Sequence, residues 1–240
     1  MNRWSPISVR VAIGFSTLIL SCPGWGQSFN IDLDLPTDPP LGGGPPSDSF
    51  PGAAGQPGKW NALDATWIGA FRLKDLKGNS THVTLTVVKG SGSAGGWSYI
   101  YNGNTGDYAL LLNDIARVSE TGSIYRFEGL SDGRYLLYSY AVNAIGYEAP
   151  VEVTVPGAFP PNPQIVTGPM PGNDFELGIT HAVHTIDVVG GRLEVAFNAT
   201  FPKGHINGFQ IVAVPEPSSL LFITAFTIIL FKRVRKNTSK

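Results

Sequence analysis

Trp97, Tyr99 and Tyr101 alternate along the chain, between the Gly-rich stretch Gly90-Ser91-Gly92-Ser93-Ala94-Gly95-Gly96 and Asn102-Gly103. Residues two apart on a strand share a face, so the three rings read as one platform. An aromatic platform stacks on the C–H face of a sugar ring while its polar tips stay wet. A second aromatic stripe runs from Tyr135 to Tyr140, and one of the two must be core. Asp107, Asn113 and Asp114 carry the oxygens that calcium takes. They also suit helix capping and turn chemistry, which is the preferred reading. His181 and His184 stand three apart, on opposite faces of a strand, and cannot chelate one ion. His82 and His205 are isolated, so no metal site is expected from the four histidines. Gly90 to Gly95 has the GxGxxG spacing, but a nucleotide site needs a helix directly after it. The next residues, Gly96-Trp97-Ser98-Tyr99-Ile100-Tyr101, read as strand. No GxSxG elbow is present, and no catalytic residue or cofactor is assigned. A single sequence neither locates nor excludes a carboxylate pair for glycoside hydrolysis.

A different chemistry is written in the last residues. Val214-Pro215-Glu216-Pro217 precedes an uncharged run, Ser218 to Phe231, and then the basic cluster Lys232, Arg233, Arg235 and Lys236. As a helix the run spans roughly 21 Å, short of the ~30 Å bilayer core. The basic cluster should stay cytoplasmic, leaving the bulk of the chain outside. Pro215 and Pro217 mark the start of the helix and keep the motif extended and open to a processing enzyme. Glu216 is the only charge in that motif.

This order of proline motif, apolar segment and terminal basic cluster resembles the PEP-CTERM sorting domain of Gram-negative bacteria. The resemblance covers residues 213–240, about a tenth of the chain. It implies recognition of Pro215, Glu216 and Pro217 by an exosortase-type membrane transpeptidase, removal of the tail, and delivery to the cell surface or extracellular matrix. Such proteins are associated with exopolysaccharide-producing, biofilm-forming bacteria.

The N-terminus agrees with export. Arg3 and Arg10 precede the apolar stretch Val11 to Leu20, and Gly24 and Gly26 suit a signal-peptidase cut before Gln27. Residues 1–26 therefore read as a signal peptide. Ile19-Leu20-Ser21-Cys22 loosely resembles a lipobox, a competing reading that Pro23 argues against. Cys22 is the only cysteine, so a cut after Gly26 leaves none and excludes disulfides. Residues 27–217 hold 10 Lys and Arg against all 18 Asp and Glu, a net charge of −8. Such a domain has no electrostatic footprint for nucleic acid. Seven prolines and six glycines fall in residues 27–59, which read as a disordered linker.

Residues 60–212 remain as one globular domain. Its pattern has a period of two: Val83, Leu85, Val87; Val151, Val153, Val155; Leu193, Val195, Phe197. Further strands are expected at residues 66–73, 97–101, 124–127, 134–142, 175–182, 184–188 and 206–212. Gly190-Gly191 is read as the turn of a hairpin between 184–188 and 193–197. One short helix is expected within residues 107–117. About ten short strands make an all-β, antiparallel sandwich flanked by the signal peptide and a C-terminal hydrophobic helix.

Phe127-Glu128-Gly129-Leu130-Ser131-Asp132-Gly133-Arg134-Tyr135, and later Ile206-Asn207-Gly208-Phe209-Gln210-Ile211, are similar to segments of the galactose-binding-like jelly rolls, including malectin-type domains. The likeness carries over no ligand residues. Together these readings give the expectation of an exported, non-enzymatic protein that binds glycan or builds extracellular matrix. The alternative is a secreted polysaccharide lyase or hydrolase on the same kind of sandwich.

Overall fold

A computed structural model describes residues 27–34, 44–65, 69–89, 96–98, 103–119, 121–143, 150–199 and 204–215. In chain order the elements are β1 (Phe29–Asp34), β2 (Trp60–Asp64), β3 (Ala70–Lys74), β4 (Ser80–Lys89), β5 (Gly96–Ser98), α1 (Gly106–Leu112), β6 (Asp114–Arg117), β7 (Ser123–Glu128) and β8 (Gly133–Tyr140). They continue with β9 (Val151–Thr154), β10 (Gln164–Val166), β11 (His181–Val188), β12 (Arg192–Ala199), β13 (His205–Ile206) and β14 (Gly208–Ala213). Two sheets face each other: β11-β8-β14-β1-β2 and β10-β9-β12-β7-β4-β3. A small third sheet, β13-β6-β5, lies beyond one end. All pairings are antiparallel except β1 with β2. The architecture is an all-β sandwich, as the alternation requires.

The core forms where the alternating faces meet. Phe29, Ile31, Leu33, Tyr135, Leu137, Phe209 and Ile211 from the first sheet bury against Val83, Leu85, Tyr125, Phe127, Leu193, Val195 and Phe197 from the second. Phe209 is the aromatic hub, with ring centroids 5.2–5.8 Å from Tyr125, Phe127 and Phe197. Both flanks of the sandwich are stitched by side-chain amides that act as one extra residue of strand. Asn61 on β2 accepts from Lys74 N and donates to Lys74 O, at 2.8 and 2.9 Å. Gln164 on β10 accepts from Val183 N at 3.1 Å and donates to Val183 O at 2.5 Å. Edge strands β3 and β11 thus spend backbone groups that would otherwise attract another chain.

Three expectations are corrected. Residues 27–59 are not a linker throughout. Phe29–Asp34 is a central strand between β14 and β2, and all six of its residues are buried. Its Phe-Asn-Ile-Asp-Leu-Asp alternation outweighs the prolines that come after it, so the domain begins before residue 60. Residues 44–59 dock on the outer face of the first sheet, where Phe50 and Trp60 join α1, Tyr140 and Met170 in a second apolar cluster. Gly190-Gly191 does not turn a hairpin. β11 pairs with β8, and β12 with β7 and β9, so the glycines turn the chain from one sheet to the other. Leu130 N donates to Gly191 O at 3.1 Å, and Gly191, at φ +73, could not carry a Cβ, which would lie 2.9 Å from Leu130 O. The corner after β11 is thereby locked to the corner before β8. Finally, residues 175–180 are turn and coil apart from an isolated bridge of Leu177 with His181, and the strand begins at His181.

The other expected strands fall close to observed ones, while β2 and β10 have no expected counterpart. The helix is Gly106–Leu112, and residues 114–117 are strand instead. No helix among the described residues is long and apolar enough to cross a membrane. Residues 1–26, Cys22 included, and the run 218–231 lie outside the described residues.

Candidate functional site

Strand register defines one end of the sandwich. β1, β2, β4, β8 and β12 finish there, and β7, β9 and β14 begin there. The small sheet β13-β6-β5 sits at this end, and its organiser is Asn207, the single residue between β13 and β14. Asn207 Oδ1 accepts from Val142 N at 2.8 Å, and its Nδ2 donates to Leu112 O at 2.9 Å and Asp114 O at 3.1 Å. Its own amide donates to Tyr140 O, and its carbonyl accepts from Leu33 N, each at 2.9 Å. One residue, through backbone and side chain together, therefore ties β8, β1 and the α1–β6 junction together. The next residue is Gly208 because a Cβ there would collide with the Ile31 carbonyl. β6 then carries β5 along its free side, in the register Gly96–Ala116, Trp97–Ile115 and Ser98–Asp114.

β5 is the strand of Trp97. The structure places its backbone at the far end of the molecule, on the outer strand of a three-stranded sheet. Tyr99 and Tyr101, the other two members of the expected platform, lie outside the described residues. The rival aromatic stripe is core at its two ends: Tyr135 and Tyr140 are fully buried. Tyr135 donates to Ser131 O at 2.9 Å, and Tyr140 to Gln210 Oε1 at 2.5 Å. Burial pushes the Tyr140 hydroxyl well above the ordinary phenol range. Gln210 in turn donates to Asn30 Oδ1 at 2.9 Å and to Pro51 O at 3.0 Å, pinning the docked segment. In the Ile206-Asn207-Gly208-Phe209-Gln210-Ile211 motif, each residue from Asn207 to Gln210 is thus accounted for by folding.

Asp107, Asn113 and Asp114, read from sequence as capping and turn residues in preference to calcium ligands, take separate local roles. Asp107 accepts from Ser47 N and Ser47 Oγ, both at 2.7 Å. Asn113 caps α1 with its N–H on Ala109 O and accepts from Asn104 at 3.2 Å. Asp114 opens β6, buried. Among the described residues no group of three or more His, Cys, Asp or Glu could hold a metal ion. His181 and His184 lie on opposite faces of β11. His184 faces the core, while His181 stacks on Tyr138 at 5.8 Å and shares a hydrogen bond with Thr180 Oγ1 at 3.0 Å. Burial pushes both imidazoles down to about 4, so they are neutral at physiological pH.

Sequence reasoning missed a buried acid at this end. Asp32, directly opposite Gly208 on β1, is fully buried, and neither carboxylate oxygen has a hydrogen-bond partner among the described residues. Burial, then the carboxylates of Asp114 and Asp34, push its pKa well above the usual carboxylate range. The folded protein therefore keeps this proton at pH values where the unfolded chain, at about 3.9, has lost it. Stability falls as pH rises from the unfolded value through the folded one. Asp32→Asn should remove that decline, leaving the variant more stable than wild type at pH 7 and closer to it at pH 4. Urea melts at the two pH values read this directly. A variant less stable at pH 7 would show that the charge is compensated and the burial argument wrong.

Of the residues expected to form a sorting motif, Pro215 alone is described, and it lies at the opposite end. Val214 N donates to Arg134 O at 2.8 Å, and Pro215 is the last described residue. Glu216, Pro217 and the cluster Lys232, Arg233, Arg235 and Lys236 lie outside the described residues.

No protein-family model matches the chain, and no curated protein matches it. Among solved structures it is similar to the CBM35 from Cellvibrio japonicus Abf62, at 21% identity over 43% of this chain and 75% of that one, with a TM-score of 0.28. It is also similar to a family 35 carbohydrate binding module from Clostridium thermocellum, at 14% identity over 54% of this chain and 98% of that one, TM-score 0.30. A third similarity is to a Bacteroides uniformis beta-glucuronidase, at 16% identity over 55% of this chain but only 14% of that one, TM-score 0.37. Likenesses at these scores carry no argument about ligand or activity.

Proposed function

We propose that this chain is an exported, non-enzymatic β-sandwich that binds glycan at the β5 end and is sorted to the cell surface or matrix through its C-terminal motif. The observation that carries the reading is placement. Trp97 lies on β5 at one end of the sandwich, while the chain leaves at the other, after Val214 and Pro215. β14 runs between the two ends, six residues or about 20 Å long. A domain tethered or processed at its tail thus presents β5 outward. Three further features support the reading: the Trp97, Tyr99 and Tyr101 alternation, the signal-like N-terminus, and an acidic domain suited to neutral polymers better than to nucleic acid.

A glycan array probed with residues 27–215 tests it. The expected result is selective retention on one class of polysaccharide with no release of reducing ends or unsaturated products. Product release would move the protein to the polysaccharide lyases or hydrolases. Retention on no glycan would remove the binding reading.

A further inference from the structure

Both chain ends leave the sandwich together, at the end opposite β5. Ala213 N donates to Ser28 Oγ at 3.0 Å, one residue before the last sheet bond, Val214 N to Arg134 O. Val214 and Pro215 form one wall of a shallow depression, and Asp132 to Arg134 and Asp187 to Val189 form the rest. The rim is braced. Arg134 donates to Asp187 through Nε at 2.7 Å and Nη2 at 2.9 Å, and its guanidinium lies 5.0 Å over the Phe159 ring. Asp132 Oδ1 accepts from Gly191 N at 3.1 Å. Beside this rim, where Arg134 pairs with Asp187 and Asp132 accepts a backbone N–H, stands Val189, 79% exposed, the most exposed large apolar side chain among the described residues.

Pro215 belongs to this wall and is also the first residue of the sorting motif. Extended backbone covers at most about 3.6 Å per residue, so covalent geometry alone keeps Pro217 within roughly 11 Å of Val214. An enzyme that grips the tripeptide must enclose it from the sides, and at that reach its groove meets the rim of the sandwich. We propose that the Val189 rim and the depression beside it are a docking surface for the membrane enzyme that removes the tail. The partner is a membrane-embedded peptidase or transpeptidase with an apolar contact for Val189 and a polar surround for the Arg134–Asp187 pair, the usual centre and rim of an interface. The inference rests on the sorting reading above. In the reaction one peptide bond at or beyond the motif breaks. Its acyl carbon passes to water or an acceptor amine, and the released segment leaves with a free amine that takes the acceptor's proton. The rim contributes binding and orientation, which raise the rate without touching the reacting bond.

Pulse-chase of the full chain in its source bacterium, with mass analysis of the C-terminus, tests this. Val189→Glu and Val189→Lys should each slow tail removal at least about fivefold, the effect of losing one modest interface contact. Val88→Glu alters an exposed apolar residue on β4 and should be processed at the wild-type rate. All three should melt as wild type does, since both positions are exposed. Wild-type processing of the two Val189 variants, or equal slowing by Val88→Glu, overturns the docking surface. A wild-type chain that keeps Lys240 overturns the sorting reading and the dock with it. A tail removed from wild type but retained in Glu216→Ala, with Val189 variants processed normally, overturns the dock alone.

Discussion

A chain that starts at Trp60 will not fold cooperatively, whereas one that starts at Gln27 will. β1 is an interior strand, paired with β14 on one side and β2 on the other. Phe29, Ile31 and Leu33 are fully buried in the main core. At about 1.5–3 kcal/mol for each fully buried apolar side chain, their loss costs roughly 5–9 kcal/mol. That is comparable to the whole stability of an ordinary domain, about 5–15 kcal/mol. The cut also removes the polar partners of the outer face. Gln210 loses Asn30 Oδ1 and Pro51 O, and Tyr140 loses its bond from Ala53 N. Leaving buried polar groups unpaired adds about 1–3 kcal/mol each. Urea unfolding of residues 27–215 and 60–215, monitored by far- and near-ultraviolet dichroism, is the check. A sharp, two-state transition in the shorter chain would mean that β1 is an accessory.

The strands that sequence located are those whose burial tracks their own alternation. Val83 and Leu85 in β4, Val151 and Val153 in β9, and Leu193, Val195 and Phe197 in β12 all point into the core. β1 alternates just as strictly. Composition averaged over residues 27–59 hides it, because the seven prolines and six glycines of that stretch all come after Asp34. Pairing partners were harder to read, because they depend on distant segments. Nothing local distinguishes a Gly-Gly hairpin from a Gly-Gly corner, and only the eight-residue ladder of β11 with β8 decides it. Polarity misled in another way. Asn30, Asp32 and Asp34 look like a solvated face, yet residues 44–59, α1 and β6 cover the outer side of that sheet. Asn30 meets amide partners from the docked segment, while Asp32 is left with acidic neighbours. Alternation reports which residues share a face, and not what lies upon it.

For the candidate site, sequence supplied the residue types, and the structure supplied the place of one of them, Trp97. Trp97 was singled out by alternation with Tyr99 and Tyr101. Its position at the end opposite Val214 is set by Asn207, which fixes β6 and through it β5. The Ile206-to-Ile211 motif, noticed for its likeness to sugar-binding jelly rolls, proves to organise that end of the sandwich.

The central claim is that the β5 end binds glycan through Trp97, and it predicts a separation of affinity from stability. Truncating a solvent-facing aromatic anchor typically costs about 1–3 kcal/mol of binding, or roughly 5- to 150-fold in Kd. Truncating a buried one costs about 3–5 kcal/mol of folding instead. The decisive measurement is therefore calorimetric. Wild-type and Trp97→Ala proteins, residues 27–215, are titrated with the glycan retained on the array, and each is melted in the same buffer. The account predicts weakened binding by the variant and an unchanged cooperative melt. Unchanged affinity, or a melt lost together with binding, would contradict it.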